Sequence, residues 1–319
     1  MASDIESVAP ASKISKLEIF FRLTRTQFLP LILLPAMVGT SIAYHGSGSF
    51  RLDYFLLVIL GVALLHLGAN AIDDCYDYQN GVDAIANSMF PPNFGGWKPL
   101  PRKLISLKMA KIVSAILFLG SLLISIYFSL VVGYWSLIFA VIGILLAIFY
   151  TAPPVKLDYL GKGLGEIAIL LAFGPIPVMG AYYVQTGELS LSAFLDSIAI
   201  GLMTVTILID HDMIFYEVYQ KARKLSLGAV LGRPKALKAS LILTIFSYVI
   251  VVLLVAERML PLQSLLALAL SALILSRKAG TFKKSHEAPP YYVPFTVNAL
   301  LSNWIFSLML AITIAVPLH

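Results

Sequence analysis

Asn70, Asp73, Asp74 and Asp77 stand at the end of an apolar run that begins near Tyr54, with no turn signal between. They belong on the tip of a membrane-spanning helix. A carboxylate near the centre of such a helix costs roughly 2.5–3.5 kcal/mol on insertion scales. A chain accepts that cost for a metal, a proton path or an ion far more readily than for packing. At about 100° per residue, Asn70, Asp74 and Asp77 share one face and Asp73 borders it. An amide oxygen and several carboxylates make a hard-oxygen set. Such a set suits Mg²⁺, which takes one or two carboxylates and completes its shell with water and phosphate oxygens. Gly81 reads as the residue that ends the helix, with Asp83 just beyond. The competing reading is a solvated helix end, which has no need of so many acids so close together.

Three further stretches carry polar chemistry. Asp210-His-Asp-Met-Ile-Phe-Tyr-Glu is a second acidic interruption of an apolar run. On a continuous helix Asp210 and Glu217 share a face, and Asp212, Phe215 and Tyr219 share another. Two acidic helix ends on one cavity would hold two metal ions around a diphosphate; a proton relay through His211 or a solvated terminus are the other readings. Tyr150-Thr-Ala-Pro-Pro-Val-Lys-Leu-Asp ends a helix, because Pro153 and Pro154 cannot continue one. It presents Lys156, either as a point charge for a diphosphate or as an interfacial anchor beside Tyr150. The long polar loop from Asn80 to Lys108 holds Phe90-Pro-Pro-Asn-Phe-Gly-Gly-Trp and the cations Lys98, Arg102 and Lys103. A loop of that length is often a lid or a binding loop. Its cations suit a phosphate or, equally, anionic lipid headgroups.

The elements that position these residues follow from composition. The chain has 319 residues, 59% hydrophobic and only 13% charged, whereas a soluble domain is nearer one-quarter charged. It reads as an all-α, polytopic membrane protein in a single domain, residues 1–319, with a polar tail at 1–15. A lone cysteine, Cys75, excludes an internal disulfide and a multi-cysteine metal site. Nine apolar runs are long enough to span, near 26–45, 54–79, 109–131, 134–150, 164–185, 191–217, 236–256, 260–276 and 295–317. Gly174-Pro-Ile-Pro predicts a kink in the fifth. Of 23 basic residues, all but Arg51 and Arg258 fall in or beside alternate polar segments, starting with the N-terminal one. The positive-inside rule then puts the N-terminus in the cytoplasm and, after an odd number of spans, the C-terminus outside. The net charge of +6 therefore reports membrane topology and not nucleic-acid binding. The Asn70–Asp83 cluster and the segments Tyr150–Lys162 and Asp210–Gly232 all fall at cytoplasmic helix ends.

Together these pieces resemble the UbiA family of intramembrane prenyltransferases, most closely its menaquinone (1,4-dihydroxy-2-naphthoate) polyprenyltransferase branch. The family's first motif, N-x-x-x-D-x-x-[x]-D followed by Y-x-x-G-x-D, is matched by Asn70, Asp74, Asp77, Tyr78, Gly81 and Asp83. Arg25-Thr-Gln-Phe-Leu-Pro resembles the family's entry to its first span, and Tyr150-Thr-Ala-Pro-Pro, Gly163-Leu-Gly-Glu and Phe173-Gly-Pro through Tyr182-Tyr-Val-Gln-Thr-Gly are similar to the branch. One departure stands out. Ser226-Leu-Gly-Ala-Val-Leu-Gly fixes the register of the second motif, typically D-x-x-x-D, and its two aspartate positions fall on Phe215 and Tyr219. Asp212, one turn earlier, is the first candidate to replace them, and Asp210 the second.

The resemblance implies a nine-helix bundle around a central cavity open to the cytoplasmic side, in a cell membrane. It implies Mg²⁺-dependent transfer of a polyprenyl group from its diphosphate to an aromatic acceptor such as a quinone precursor, with lipid around the protein. The metal set would be Asn70, Asp74, Asp77 and Asp212. Asp74, Asp77, Asp212, Lys156 and Tyr150 would act in catalysis, and Asn70, Arg25, Lys98, Arg102, Asp83 and Asp210 would hold substrate. Tyr76, Tyr78, Tyr150 or Phe215 would face the allylic cation. Alternatives are transfer to a glycerol-phosphate ether lipid, terpene cyclisation or, in another class, cation-coupled transport. The last is disfavoured because no internal repeat is visible and the acids lie near helix ends.

Overall fold

A computed structural model describes residues 14–48, 50–90, 98–281 and 292–316, the side chains of 277–281 excepted. Its described residues form helices and no strand. In order these are α1 (Lys16–Thr24), α2 (Pro30–Ser47), α3 (Leu52–Gln79), α4 (Val82–Met89), α5 (Leu107–Val131), α6 (Trp135–Thr151), α7 (Leu164–Phe173), α8 (Pro175–Thr186), α9 (Leu191–Ile214), α10 (Tyr216–Ala222), α11 (Leu227–Leu231), α12 (Arg233–Ala256), α13 (Leu265–Thr281) and α14 (Val293–Ala315). Seven segments are long and apolar enough to cross a membrane: Thr26–Ser47, Leu52–Gln79, Leu107–Val131, Leu164–Thr186, Leu191–Ile214, Arg233–Ala256 and Val293–Ala315. The runs expected at 134–150 and 260–276 are present as shorter apolar helices, Trp135–Thr151 and Leu262–Ser276. The cations Lys13, Lys283 and Lys284, the side chains of Arg277 and Lys278, and the loop residues 91–97 lie outside the described residues.

Helix α9 is the spine. It packs along α12, α14 and α7, while α3 packs on α5 and α2 lies between α8 and α14. In lipid the helices gain little by burying apolar side chains against one another, so small residues and interhelical hydrogen bonds decide where they touch. Ser247 donates to the Ala199 carbonyl at 2.8 Å, Asn303 to the Thr204 hydroxyl at 3.1 Å, and Ser114 to the Gly68 carbonyl at 2.8 Å. A Cβ on Gly39 would run into the Val178 backbone, which shows how closely α2 approaches α8.

Two interruptions shape the site. The fifth run breaks at Gly174-Pro175 into α7 and α8, since proline removes a ladder donor and clashes with the preceding turn. The sixth ends at Ile214, three residues short of the expected 217, and Phe215 (φ −100°, ψ 16°) turns the chain into α10. By contrast α3 runs unbroken from Leu52 to Gln79. Asn80 caps it and Gly81, at φ +79°, redirects the chain into α4. The acidic stretch therefore does sit on a helix tip, and α4 brings Asp83 back beside it.

Candidate active site

One cavity of about 1380 Å³ reaches from the tips of α3 and α9 down between the helices. Its deeper walls are apolar and include Leu65, Leu146, Ala172, Phe173, Leu208 and Leu300. Its polar end is built on α3. Asn70 is held by its amide nitrogen, which lies 3.0 Å from the Thr24 carbonyl and 3.1 Å from His66 Nε2. Asp73, Asp74 and Asp77 follow on the cavity wall, and Asp83 joins them from α4. Asp74, Asp77 and Asp83 are all buried.

Buried carboxylates need partners, and three cations supply them. Arg25, in the left-handed backbone region after α1 (φ 48°), pairs with Asp74 through a short contact and with Asp73 Oδ2 at 3.3 Å. Lys98 Nζ lies 2.8 Å from Asp83 Oδ1, 3.2 Å from Asp74 Oδ1 and 3.5 Å from Asp77 Oδ2. Lys224, just beyond α10, lies 3.5 Å from Asp77 Oδ1 and 2.8 Å from Asp158 Oδ2. Burial works against the charge on Lys98, but Asp74, Asp83 and Asp77 outweigh it and hold the ammonium above its ordinary range. Lys224 is likewise held up, against burial, by Asp158 and Asp77. Burial pushes the Asp158 carboxyl up to about 6, with Lys224 opposing.

The cavity gathers Arg25, Asn70, Asp74, Asp77, Asp83, Lys98, Arg102 and Tyr150 from the expected set. It leaves out Lys156, Asp210 and Asp212, which are absent from its lining. Lys156 donates instead to Asn80 Oδ1 at 2.8 Å, and Asn80 in turn reaches the Thr151 carbonyl and the Tyr159 hydroxyl, each at 3.3 Å. That lysine ties the cap of α3 to the turn after α6. Asp210 and Asp212 are buried behind the wall. Asp212 packs on the first turn of α11, where a Cβ on Gly228 would come within 2.6 Å of its own Cβ. The face predicted to carry Asp212, Phe215 and Tyr219 together does not survive the break at Phe215. Phe215 and Tyr219 line the cavity, and Glu217 pairs with Arg233 at 2.6 Å. Tyr76 and Tyr78 are also off the cavity, and Tyr78 is 40% exposed.

Four residues at the polar end escaped the sequence reading of the site: His66, Asp158, His211 as a wall residue, and Lys224. Lys221, Arg223 and Lys224 look alike as a basic cluster after a span. Only the left-handed cap at Arg223, φ 53°, singles out Lys224 by turning it inward.

Among the described residues no three His, Cys, Asp or Glu side chains converge to hold a metal unaided. The donor set is nonetheless suited to a shared ion. Asp74 and Asp77 carry hard-oxygen donors on one helix face, and buried Asp73 Oδ1 and Asp83 Oδ2 accept no hydrogen bond. Mg²⁺ asks a protein for only one or two carboxylates when phosphate oxygens supply the rest.

An apolar cavity capped by carboxylates and their counter-cations pairs a lining for a hydrocarbon tail with charges for a polar head. Residues 32–315 match the UbiA prenyltransferase family, and the chain belongs to it. It is 30% identical to the 1,4-dihydroxy-2-naphthoate octaprenyltransferase of Haemophilus influenzae over 69% of this chain and 71% of that one. It is 27% identical to the 2-carboxy-1,4-naphthoquinone phytyltransferase of Synechocystis over 63% of this chain, a stretch spanning 61% of that protein. Its fold is similar to that of a UbiA homolog from Archaeoglobus fulgidus bound to GPP and Mg²⁺, with a TM-score of 0.64 and 17% identity over 91% of this chain and 99% of that one. A digeranylgeranylglyceryl phosphate synthase structure gives the same TM-score at 20% identity, over 94% and 98%.

Proposed function

We propose that the cavity transfers a prenyl group from a polyprenyl diphosphate to an electron-rich aromatic acceptor, a naphthoate-type quinone precursor, in a cell membrane. The full bundle is read as nine spans, the two shorter apolar helices included, with the polar end on the cytoplasmic side. The observation that carries the reading is the joining of Asp74 and Asp77, flanked by Arg25 and Lys98, to an apolar cavity that can take an isoprenoid tail.

The chemistry follows from charge. Heterolysis of the allylic C–O bond sends the electron pair out with the diphosphate, whose negative charge grows as the bond breaks. Preorganised cations stabilise that leaving group best where water is excluded. Asn70, Asp74 and Asp77 would hold Mg²⁺, which when bound supplies Lewis-acid stabilisation of the departing oxygens. Lys98 and Arg25 pair with those acids, and Arg102 lines the same cavity. The apolar walls keep water from the allylic cation, and Tyr150, Phe173 and Phe215 offer ring faces to it. The aromatic ring forms the new carbon–carbon bond and releases its displaced proton.

The test is incubation of purified protein with Mg²⁺, a series of prenyl diphosphates and 1,4-dihydroxy-2-naphthoate, with a glycerol-phosphate acceptor and no acceptor as parallel arms. Prenylated naphthoate together with released pyrophosphate is the expected result. Product only with the glycerol phosphate, or a cyclised hydrocarbon without acceptor, reassigns the substrate. No pyrophosphate in any arm, with cation-coupled uptake in proteoliposomes, ends the proposal.

A further inference from the structure

The two polar walls of the cavity are chemically unlike. The α3–α4 wall carries Asp73, Asp74, Asp77 and Asp83. The α9–α10 wall carries His211, Phe215 and Tyr219, and no carboxylate among the described residues. Its rings form a column: His211 and Phe215 are 5.0 Å apart between centroids, and Phe215 and Tyr219 6.1 Å apart at 24°. Phe90 abuts Phe215 edge-on at 5.7 Å. The acids of this segment are turned elsewhere, Asp210 and Asp212 into the protein and Glu217 onto Arg233. Among the described residues, the one cation that enters the cavity from this side is Lys224. It is 4% exposed, and its Nζ lies 4.8 Å from the Tyr219 ring centroid.

We propose that this enzyme holds its diphosphate with a single divalent ion, bound on the α3 wall, and that the Lys224 ammonium serves on the facing wall where a second ion would otherwise stand. The inference rests on the prenyl-diphosphate reading above and adds to it the number of ions and the identity of the opposing charge. A column of His, Phe and Tyr rings has no carboxylate to offer Mg²⁺. A lysine is a point charge well suited to a phosphate oxygen. Asp158, 2.8 Å from Nζ, acts as the positioning residue, and Asp77 lies at 3.5 Å on the other side. Lys224 thus sits between the acidic wall and the rings, where it can pass from Asp77 to a diphosphate oxygen without leaving the cavity.

The experiment counts ions. Detergent-purified protein is equilibrated with Mn²⁺ and inorganic pyrophosphate, and bound metal and bound pyrophosphate are measured together, with electron paramagnetic resonance to detect coupling between neighbouring Mn²⁺ ions. The expected result is one Mn²⁺ per bound pyrophosphate and no coupled pair. Lys224→Met lowers pyrophosphate affinity about tenfold or more at saturating Mn²⁺, and Lys224→Arg recovers most of it. The double change Phe215→Asp with Tyr219→Asp raises the count to two and produces the coupled signal. Two Mn²⁺ in the unaltered protein overturns the single-ion proposal, and this count stands even where the double variant does not fold. Undiminished pyrophosphate affinity in Lys224→Met overturns the role of the ammonium. Absence of any pyrophosphate binding, by contrast, overturns the prenyl-diphosphate reading itself.

Discussion

Lys224 Nζ stands 3.5 Å from Asp77 Oδ1, joining the segment after α10 to the tip of α3. The two ends of the cavity mouth, far apart in the chain, are held together by this pair. The tips of the second and sixth spans border one pocket, but the acids of the sixth do not join those of the second there. The sixth contributes rings and an ammonium where its acids were expected.

Asp74→Asn and Asp77→Asn keep shape and remove charge. Each lowers the rate of pyrophosphate release by about 100-fold or more, the scale on which loss of one leaving-group contact is felt. Elution as a monodisperse species in detergent checks that the protein still folds. A rate within a few-fold of the starting protein would remove these residues from the site.

Spacing alone ranks Asp212 above Phe215 as a functional residue, whereas Phe215 and not Asp212 lines the cavity. Phe215→Ala opens a gap in the cavity wall and raises KM for the substrates about tenfold, consistent with a lost apolar contact of about 1–3 kcal/mol. Asp212→Ala acts on stability, lowering Tm with a smaller effect on KM. Thermal melts and kinetics on both variants decide; a larger kinetic loss in Asp212→Ala restores the earlier ranking.

Lys156→Met removes the donor to Asn80 and not a cavity residue. A hydrogen bond to a charged group contributes about 1.5–3 kcal/mol, so Tm falls by several degrees while kcat in the surviving protein changes less than threefold. A selective loss of kcat at unchanged Tm would place Lys156 in the chemistry after all.

Chelation with EDTA stops turnover and added Mg²⁺ restores it, whereas the helical circular dichroism stays constant throughout. The α3 acids already have Arg25, Lys98 and Lys224 as partners, so folding does not wait for a metal. Helix loss on chelation would show a structural ion.

Gly39→Leu forces a side chain into the Val178 backbone. The α2–α8 contact then opens, and folded yield in detergent falls well below that of Gly46→Leu, where a Cβ meets nothing within 4 Å. Equal yields for the two would mean that the approach is not required.

The α3 motif was legible because carboxylates in an apolar run are conspicuous and helical spacing fixes their common face. The Gly81 turn and the Gly174-Pro175 break were legible for the same local reason. The second motif was not. Its face depended on the helix continuing through Phe215, and the chain turns there because α10 and α11 pack back over α9, a tertiary cause with no local signature. Lys156 and Lys224 are equivalent as sequence, each a lysine after a helix with left-handed backbone close by. What separates them is the neighbour each one meets: Asn80 for the former, Asp77 and Asp158 for the latter.

The pairing of Arg25, Lys98 and Lys224 with the aspartates has a kinetic corollary. Long side chains ordinarily surrender rotamer freedom when they grip a ligand, but here that freedom has already been surrendered to the protein's own carboxylates. An arriving anion would enter by exchange, displacing one oxyanion with another, so recognition becomes a contest between acids of different strength and valence. Monovalent headgroups would compete poorly in such an exchange and a trianionic one well, so that the surrounding sea of lipid phosphates would pass by.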